Sequence, residues 1–116
     1  MADSSFIHTA LKDCIHSVLK RTSAKAFLSA HDEEIRRHPL IKNINSSPVT
    51  IVAIGKMADS LTYEFVNRFN LTKLQGIVSS PYECSVTRVP GLQYFQGGHP
   101  LPNEQSFAAA ERALSL

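Results

Sequence analysis

Apolar residues recur at helical spacing near the start of the chain, in residues 5–21. Ile7, Leu11, Ile15 and Val18 repeat every three or four positions, which is the period of one face of an α-helix. The remaining positions are mostly polar, so the pattern predicts an amphipathic helix that packs its apolar side against a core. A second helical pattern, more polar, runs over residues 23–38.

The second helix should stop near His38, because the residue before Pro39 is disfavoured in helical geometry. The polar stretch "KNINSSP", residues 42–48, is then predicted to be a connector. Residues 1–45 are therefore interpreted as a unit of packing helices that precedes the rest of the fold.

From Val49 onward the pattern changes to short apolar runs that alternate with helical segments. "VTIVAI" is β-branched and almost continuously apolar, which favours a strand buried on both faces of a parallel sheet. A helix is predicted from Lys56 to Phe69. Two strands follow, "LQGIVSS" and "LQYFQ", with the loop "SPYECSVTRVPG" between them. The last predicted element is an Ala-rich helix that begins at Pro102 and is capped by Asn103 or Ser106.

The order strand, helix, strand, strand, helix over residues 49–116 predicts an α/β fold, a Rossmann-like three-layer sandwich with a mostly parallel sheet. The last predicted helix is not followed by another strand, so the sheet is expected to be incomplete. On this interpretation, residues 1–116 form an incomplete N-terminal domain of a longer protein.

Composition narrows the possible partners. The chain has 116 residues, 43% hydrophobic and 19% charged, which suits one globular domain. The net charge is only +2 and the basic residues are scattered, so no nucleic acid partner is expected. No apolar run approaches the length of a membrane span, and no membrane partner is expected.

Cys14 and Cys84 lack metal or redox spacing and are interpreted as reduced thiols of a cytoplasmic protein, with a mitochondrial location left open.

The most informative local feature is Gly55-Lys56, which follows the first strand and precedes a helix. Ligands of open α/β sheets bind beyond the carboxyl ends of the strands, where helix N-termini attract anions. A lysine at this point needs a negative partner, which either Asp59 or a bound carboxylate or phosphate could supply. Walker A and GxGxxG loops are both absent, so an anion site here would not be a standard nucleotide loop.

The second unusual stretch is "QGGHPLPNEQ", residues 96–105. If the strands are parallel, His99 lies at the same sheet edge as Lys56. One interpretation is a rigid connector in which His99 bonds to the backbone, and the other is a wall of the substrate cleft. His31 and His38 lack a third ligand, so no metal site is predicted.

Three quoted segments carry a family resemblance. "IVAIGKMADSL", "GIVSS" and "GGHPLPNEQSFAAAERAL" occur in the order typical of the N-terminal region of the glycerate 2-kinase family, also called hydroxypyruvate reductase, whose longer members carry a C-terminal MOFRL domain. The chain resembles this family from about residue 5 to residue 116. It departs from the family pattern at Ala53, which replaces a glycine, and at Asn103, which replaces an aspartate. The run "SSPYE" is nearer to animal members.

The resemblance implies phosphoryl transfer from ATP, with Mg²⁺, to the 2-hydroxyl of D-glycerate. It places the catalytic lysine at Lys56 and substrate contacts at Gly55, Lys56 and His99, and it assigns no ATP-binding residues. Because the family's later elements are missing, the chain alone is expected to be inactive. Two alternatives stay open: a nicotinamide-dependent hydroxypyruvate reductase, and a non-catalytic truncated isoform that acts through protein interaction.

Overall fold

The computed structural model describes residues 3–83 and 88–116. The elements in chain order are α1 Ser4–Arg21, α2 Ala24–Ala30, α3 Asp32–Arg37, α4 Pro39–Lys42, β1 Val49–Ile54, α5 Ala58–Phe69, β2 Leu74–Ser80, β3 Leu92–Gln96 and α6 Glu104–Leu114. All three strands coincide with the apolar runs predicted from the sequence. Cys84 and the middle of the predicted loop between β2 and β3 lie outside the described residues, while Cys14 is an exposed free thiol.

The three strands form one parallel sheet in the order β1-β2-β3. Val49 of β1 pairs with Leu74 of β2, and Gly76 of β2 pairs with Leu92 of β3. All three strands run in the same direction, so their carboxyl ends meet at one edge of the sheet. This arrangement of helices on a parallel sheet confirms the predicted α/β class.

Helices cover the two faces of the sheet. The buried cluster that includes Val66 of α5 packs with Ile51 and Leu92, which lie on one face of the sheet because side chains alternate along a strand. Gln93 follows Leu92 and therefore points to the opposite face, where its Oε1 accepts a hydrogen bond of 2.6 Å from Arg112 Nε of α6. The order of layers is α5, sheet, α6, as the sandwich interpretation requires.

The prediction that β1 is buried on both faces is wrong. Its residues alternate between partly buried and exposed, with Val52 51% and Ile54 71% exposed. The reason is position: β1 lies at the edge of the sheet, and α6 covers β2 and β3 on that face. The continuous apolar run established a strand but carried no information about which faces would be covered.

The first helix forms where it was predicted, and Asp3 caps it by accepting a hydrogen bond from Ser5 N. Its predicted packing role is wrong, because none of its residues is buried and Phe6 is 70% exposed. The helix contacts the rest of the described chain mainly through α2. An amphipathic pattern predicts an apolar stripe, but it cannot supply the surface against which that stripe packs.

The second predicted helix, over residues 23–38, is divided into α2 and α3 at His31. Ser23 caps α2 by accepting a hydrogen bond from Ala26 N, and three acidic residues form the first turn of α3, a favourable placement at a helix N-terminus. The predicted stop at His38 is confirmed. None of the helices in residues 3–83 and 88–116 is long and apolar enough to span a membrane.

Candidate functional site

A cleft of about 410 Å³ opens at the end of the sheet that is formed by the carboxyl ends of the three strands. Each strand contributes its carboxyl end, and α6 contributes the wall nearest its N-terminus. The lining residues are Ile54, Gly55, Lys56, Ser79, Ser80, Pro81, Gly97, Gly98, His99, Ser106, Ala109 and Ala110. Gly55, Lys56 and His99, the three residues singled out in the sequence, are therefore brought together in one cleft.

Gly55 follows β1 directly and has a backbone conformation that favours glycine, with φ of +123°. Its N–H donates a 2.9 Å hydrogen bond to the Ser79 carbonyl, and its own carbonyl accepts a 3.1 Å bond from Ala58 N. A Cβ at Gly55 would meet no atom within 4 Å, so the bare glycine leaves that space open at the cleft. The turn continues through Lys56, and α5 begins at Ala58, two residues later than predicted.

The start of α5 contributes positive potential close to Lys56. Met57 occupies the N-cap position and makes no side-chain capping bond, whereas a serine or aspartate there would have satisfied a backbone N–H. The helix N-terminus carries roughly half a positive charge, and the exposed Lys56 ammonium adds to it. Asp59 lies in the first turn of the helix but does not line the cleft.

The end of β2 supplies two buried serines, neither of which was among the residues predicted to form the site. Ser79 is 7% exposed and Ser80 is 3% exposed, and both line the cleft. Ser80 Oγ accepts a 3.2 Å hydrogen bond from Tyr82 N and so shapes the chain as it leaves the strand. The available sequence signal was two adjacent serines that follow the apolar residues Ile77 and Val78 at the end of the strand, next to the predicted ligand site.

The end of β3 forms the opposite wall. Gly97 N donates a 2.9 Å hydrogen bond to the Ser80 carbonyl, and Gly98 N donates a 3.0 Å bond to Ser106 Oγ. His99 follows, exposed at the cleft, and its ring makes no hydrogen bond within the described part of the chain. The backbone hydrogen bond expected for a purely connecting His99 is thus not present among these residues.

Asn103 and Ser106 fix this wall to α6. Asn103 Oδ1 accepts a 3.0 Å bond from Ser106 N, and Ser106 Oγ accepts a 3.1 Å bond from Asn103 N, so the two proposed capping residues act together as a capping box. The helix consequently starts at Glu104, and Pro102 precedes it instead of occupying its first position. Asn103 Nδ2 also donates a 3.2 Å bond to the Gln96 carbonyl, which the oxygen of an aspartate could not do.

The chemistry of the cleft is that of an anion and hydroxyl site. It combines one ammonium group, buried serine hydroxyls and an imidazole, and none of its lining residues carries a carboxylate. Mg²⁺ in proteins is usually held by one or two carboxylates together with substrate phosphates. Because no carboxylate lines the cleft in the described part of the chain, its side chains do not fit a resident Mg²⁺ ion, and no step is assigned to one.

A larger apolar groove of about 970 Å³ lies elsewhere, between helices α2 to α5 and the start of β1. No charged side chain lines it, and its walls are formed by residues such as Phe27, Ile41 and Phe65. A groove lined by neutral side chains offers no positive charge to hold a small anionic substrate. The smaller cleft at the strand ends is therefore the candidate site.

Comparison with known proteins agrees with the extent of the resemblance. Neither the curated proteins nor the solved structures gave a significant match. A family model described as a domain of unknown function, DUF4147, matches residues 6–116. That match includes α2 through α6, all of α1 except its first two residues, and every residue that lines the cleft in the described part of the chain. The chain therefore belongs to the DUF4147 family.

Proposed function

We propose that the cleft binds D-glycerate and that this chain contributes Lys56 to an ATP-dependent kinase acting on the 2-hydroxyl of that substrate. The observation that carries the proposal is the meeting of Gly55-Lys56 and the His99 turn in one cleft at the carboxyl edge of the sheet. DUF4147 is associated with glycerate kinase-like proteins, and this association supports the proposal.

Lys56 has a defined electrostatic task in this scheme. Phosphoryl transfer depends mainly on positioning and on neutralising charge at the transferring group, and an ammonium group serves as a point charge for this purpose. The N-terminus of α5 adds to the same field, so a substrate carboxylate or a transferring phosphate is attracted to Lys56. His99 borders the same space from the β3 side and contacts the bound substrate.

In the part of the chain that the structure describes, the cleft has what is needed to bind the substrate but lacks groups needed to phosphorylate it. A cleft of about 410 Å³ falls in the size range of small-molecule sites, which is ample for a three-carbon acid. Mg²⁺ is ordinarily held through carboxylates, and none lines this cleft among the described residues, so the proposal assigns the metal to groups outside the cleft. We therefore expect the 116-residue chain to bind D-glycerate without phosphorylating it.

The test is replacement of Lys56 by Met, which retains the length of the side chain and removes its charge. Titration of the chain with D-glycerate, followed by calorimetry or NMR, should show binding weakened by about 10- to 100-fold, since a hydrogen bond to a charged group contributes about 1.5–3 kcal/mol. The same substitution in an active kinase containing this sequence should lower kcat severely while the unfolding midpoint stays unchanged.

Lys73→Met is the matched control. Lys73 is exposed and lies just before β2, at the N-terminal ends of the strands, whereas the cleft lies at their carboxyl ends. This variant should bind D-glycerate as the unmodified chain does. Equal affinity in the Lys56→Met and Lys73→Met variants would contradict the proposal, as would binding of a nicotinamide nucleotide in place of D-glycerate.

A further inference from the structure

Ser79 is the one cleft residue whose hydroxyl has no evident structural purpose. It is 7% exposed, and within the described part of the chain its Oγ makes no hydrogen bond. Among those residues, Arg68 Nε is the only side-chain polar atom that is both enclosed and without a hydrogen-bond partner. Ser79 Oγ also has no partner among them but is not fully enclosed, so it keeps some contact with solvent. The opening available to it is the cleft that it lines.

The surroundings of Ser79 define what it can contact. Its register partners in the neighbouring strands are Ile54 and Phe95, which are apolar, so neither side chain competes for its hydroxyl. A Cβ placed on Gly97 would lie 3.3 Å from Ser79 Oγ, so this glycine leaves room beside the hydroxyl. Ser79 therefore presents one hydroxyl group at the inner end of the cleft.

Lys56 and Ser79 lie close together in the fold but at different depths. Gly55 N donates a hydrogen bond to the Ser79 carbonyl, so Lys56 lies one residue beyond this contact. Lys56 is exposed, whereas Ser79 is buried. Burial of a charge costs far more than burial of a neutral hydroxyl that gains a hydrogen bond. A ligand with an anionic end and a hydroxylated end would therefore place the anion at Lys56 and the hydroxyl at Ser79.

We propose that Ser79 is a specificity-determining residue that hydrogen-bonds a hydroxyl group of the ligand. The inference rests on the proposed function and refines it: the cleft selects hydroxy acids over simple carboxylic acids, with Lys56 binding the carboxylate and Ser79 binding a hydroxyl. A serine hydroxyl both donates and accepts, which is the capacity that recognition of another hydroxyl requires.

The experiment compares two ligands and three chains. D-glycerate and propionate share a carboxylate, but only D-glycerate has hydroxyl groups. The unmodified chain should bind D-glycerate more tightly than propionate. Ser79→Ala should weaken D-glycerate binding by about 3- to 10-fold, as expected for the loss of one neutral hydrogen bond, and should leave propionate binding unchanged. Lys56→Met should weaken both ligands together.

Thermal unfolding distinguishes recognition from a structural role. Ser79→Ala should unfold at the same temperature as the unmodified chain or higher, because it removes a hydroxyl that makes no hydrogen bond within residues 3–83 and 88–116. Ser46→Ala is the control: its hydroxyl donates a 2.6 Å bond to the Asn43 carbonyl outside the cleft, so the ligand preference should not change. If Ser79→Ala fails to fold, Ser79→Cys provides a weaker donor of similar size for the same measurement.

The outcomes separate the two proposals. Unchanged preference in Ser79→Ala, with Lys56→Met still impaired, would overturn the role of Ser79 and leave the proposed function standing. Absence of D-glycerate binding by the unmodified chain would overturn both. A clear drop in unfolding temperature together with an unchanged preference would assign Ser79 to the core instead.

Discussion

At the scale of single residues, Gly76 shows how strongly the close pairing of β1 and β2 constrains the chain. Its φ is +143°, and a Cβ built on it would lie 1.9 Å from the Ile51 carbonyl oxygen. The obstacle is backbone in the neighbouring strand, which no side-chain movement can relieve. A glycine in a strand usually signals such a close approach, and the sequence alone left the reason open.

We expect Gly76→Ala to lower the free energy of unfolding by about 4 kcal/mol or more, which places it among the largest single-residue effects. Gly55→Ala is the comparison, because that site has positive φ but no atom within 4 Å, so only the backbone cost of about 1–3 kcal/mol applies. Urea denaturation of both variants measures the difference. Similar losses in the two would show that the contact with Ile51 is not decisive.

The residues of the cleft were predictable to different degrees. Lys56 and His99 could be placed at one edge of the sheet because the carboxyl ends of parallel strands meet there. Ser79 could not be identified in advance, since its proposed role depends on its burial and on a hydroxyl that bonds to no other described residue. Both properties arise only when β1, β3 and α6 surround the residue.

At the scale of elements, the short helices α2 and α3 are tied to α5 through Arg68. Arg68 Nη1 donates a 3.2 Å hydrogen bond to Asp32 Oδ1, and Nη2 donates a 2.8 Å bond to Ser29 Oγ. Arg36 Nε donates a further 2.8 Å bond to Asp32 Oδ2. Two helices that are too short to be stable alone are thus held by a shared guanidinium group.

Asp32 should make this connection dependent on pH. Hydrogen bonds from Arg36, and then Arg68, hold the pKa of Asp32 below its ordinary value of 3.8. A carboxyl with a lowered pKa stabilises the folded state at pH values above 3.8, and this stabilisation disappears as pH falls through the lowered pKa. Asp32→Asn should therefore lower the unfolding temperature at pH 7, and the difference should shrink as the pH falls below 3.8 and vanish once it lies below the lowered pKa of Asp32.

Glu33→Gln provides the control for that measurement. Glu33 pairs with Arg37 at 3.3 Å, but both side chains are highly exposed, and such pairs contribute about 0–1 kcal/mol. Thermal unfolding from pH 7 to pH 2.5 should show a smaller effect for Glu33→Gln than for Asp32→Asn. Equal effects would mean that the contact with Arg68 adds nothing to an ordinary surface ion pair.

At the scale of the whole molecule, the described chain is elongated, with extents of 62 × 38 × 21 Å. The isolated position of α1 is in keeping with this shape, because none of its residues is buried and several large apolar side chains are exposed. The core instead lies between α5 and the sheet, around Val66, Phe69, Leu71 and Val89. Stability therefore resides mainly in the region after α1.

Deletion of residues 1–21 should accordingly change the free energy of unfolding by no more than about 0.5 kcal/mol, the range typical of changes at exposed positions. Ser23, which caps α2, is retained in that variant. Urea denaturation at several protein concentrations measures the effect. A loss of several kcal/mol would show that α1 contributes to the core in solution.

The sequence by itself determined the local structure: the strand segments, the helix stop at His38, the cap at Asn103 and the end of the sheet where Lys56 lies. These follow from backbone preferences and apolar periodicity within a few neighbouring residues. Only the tertiary structure decided which faces are covered, where α1 lies and that Ser79 is buried beside an open cleft. Burial depends on residues distant in sequence, and an apolar pattern is the same whether or not a partner surface covers it.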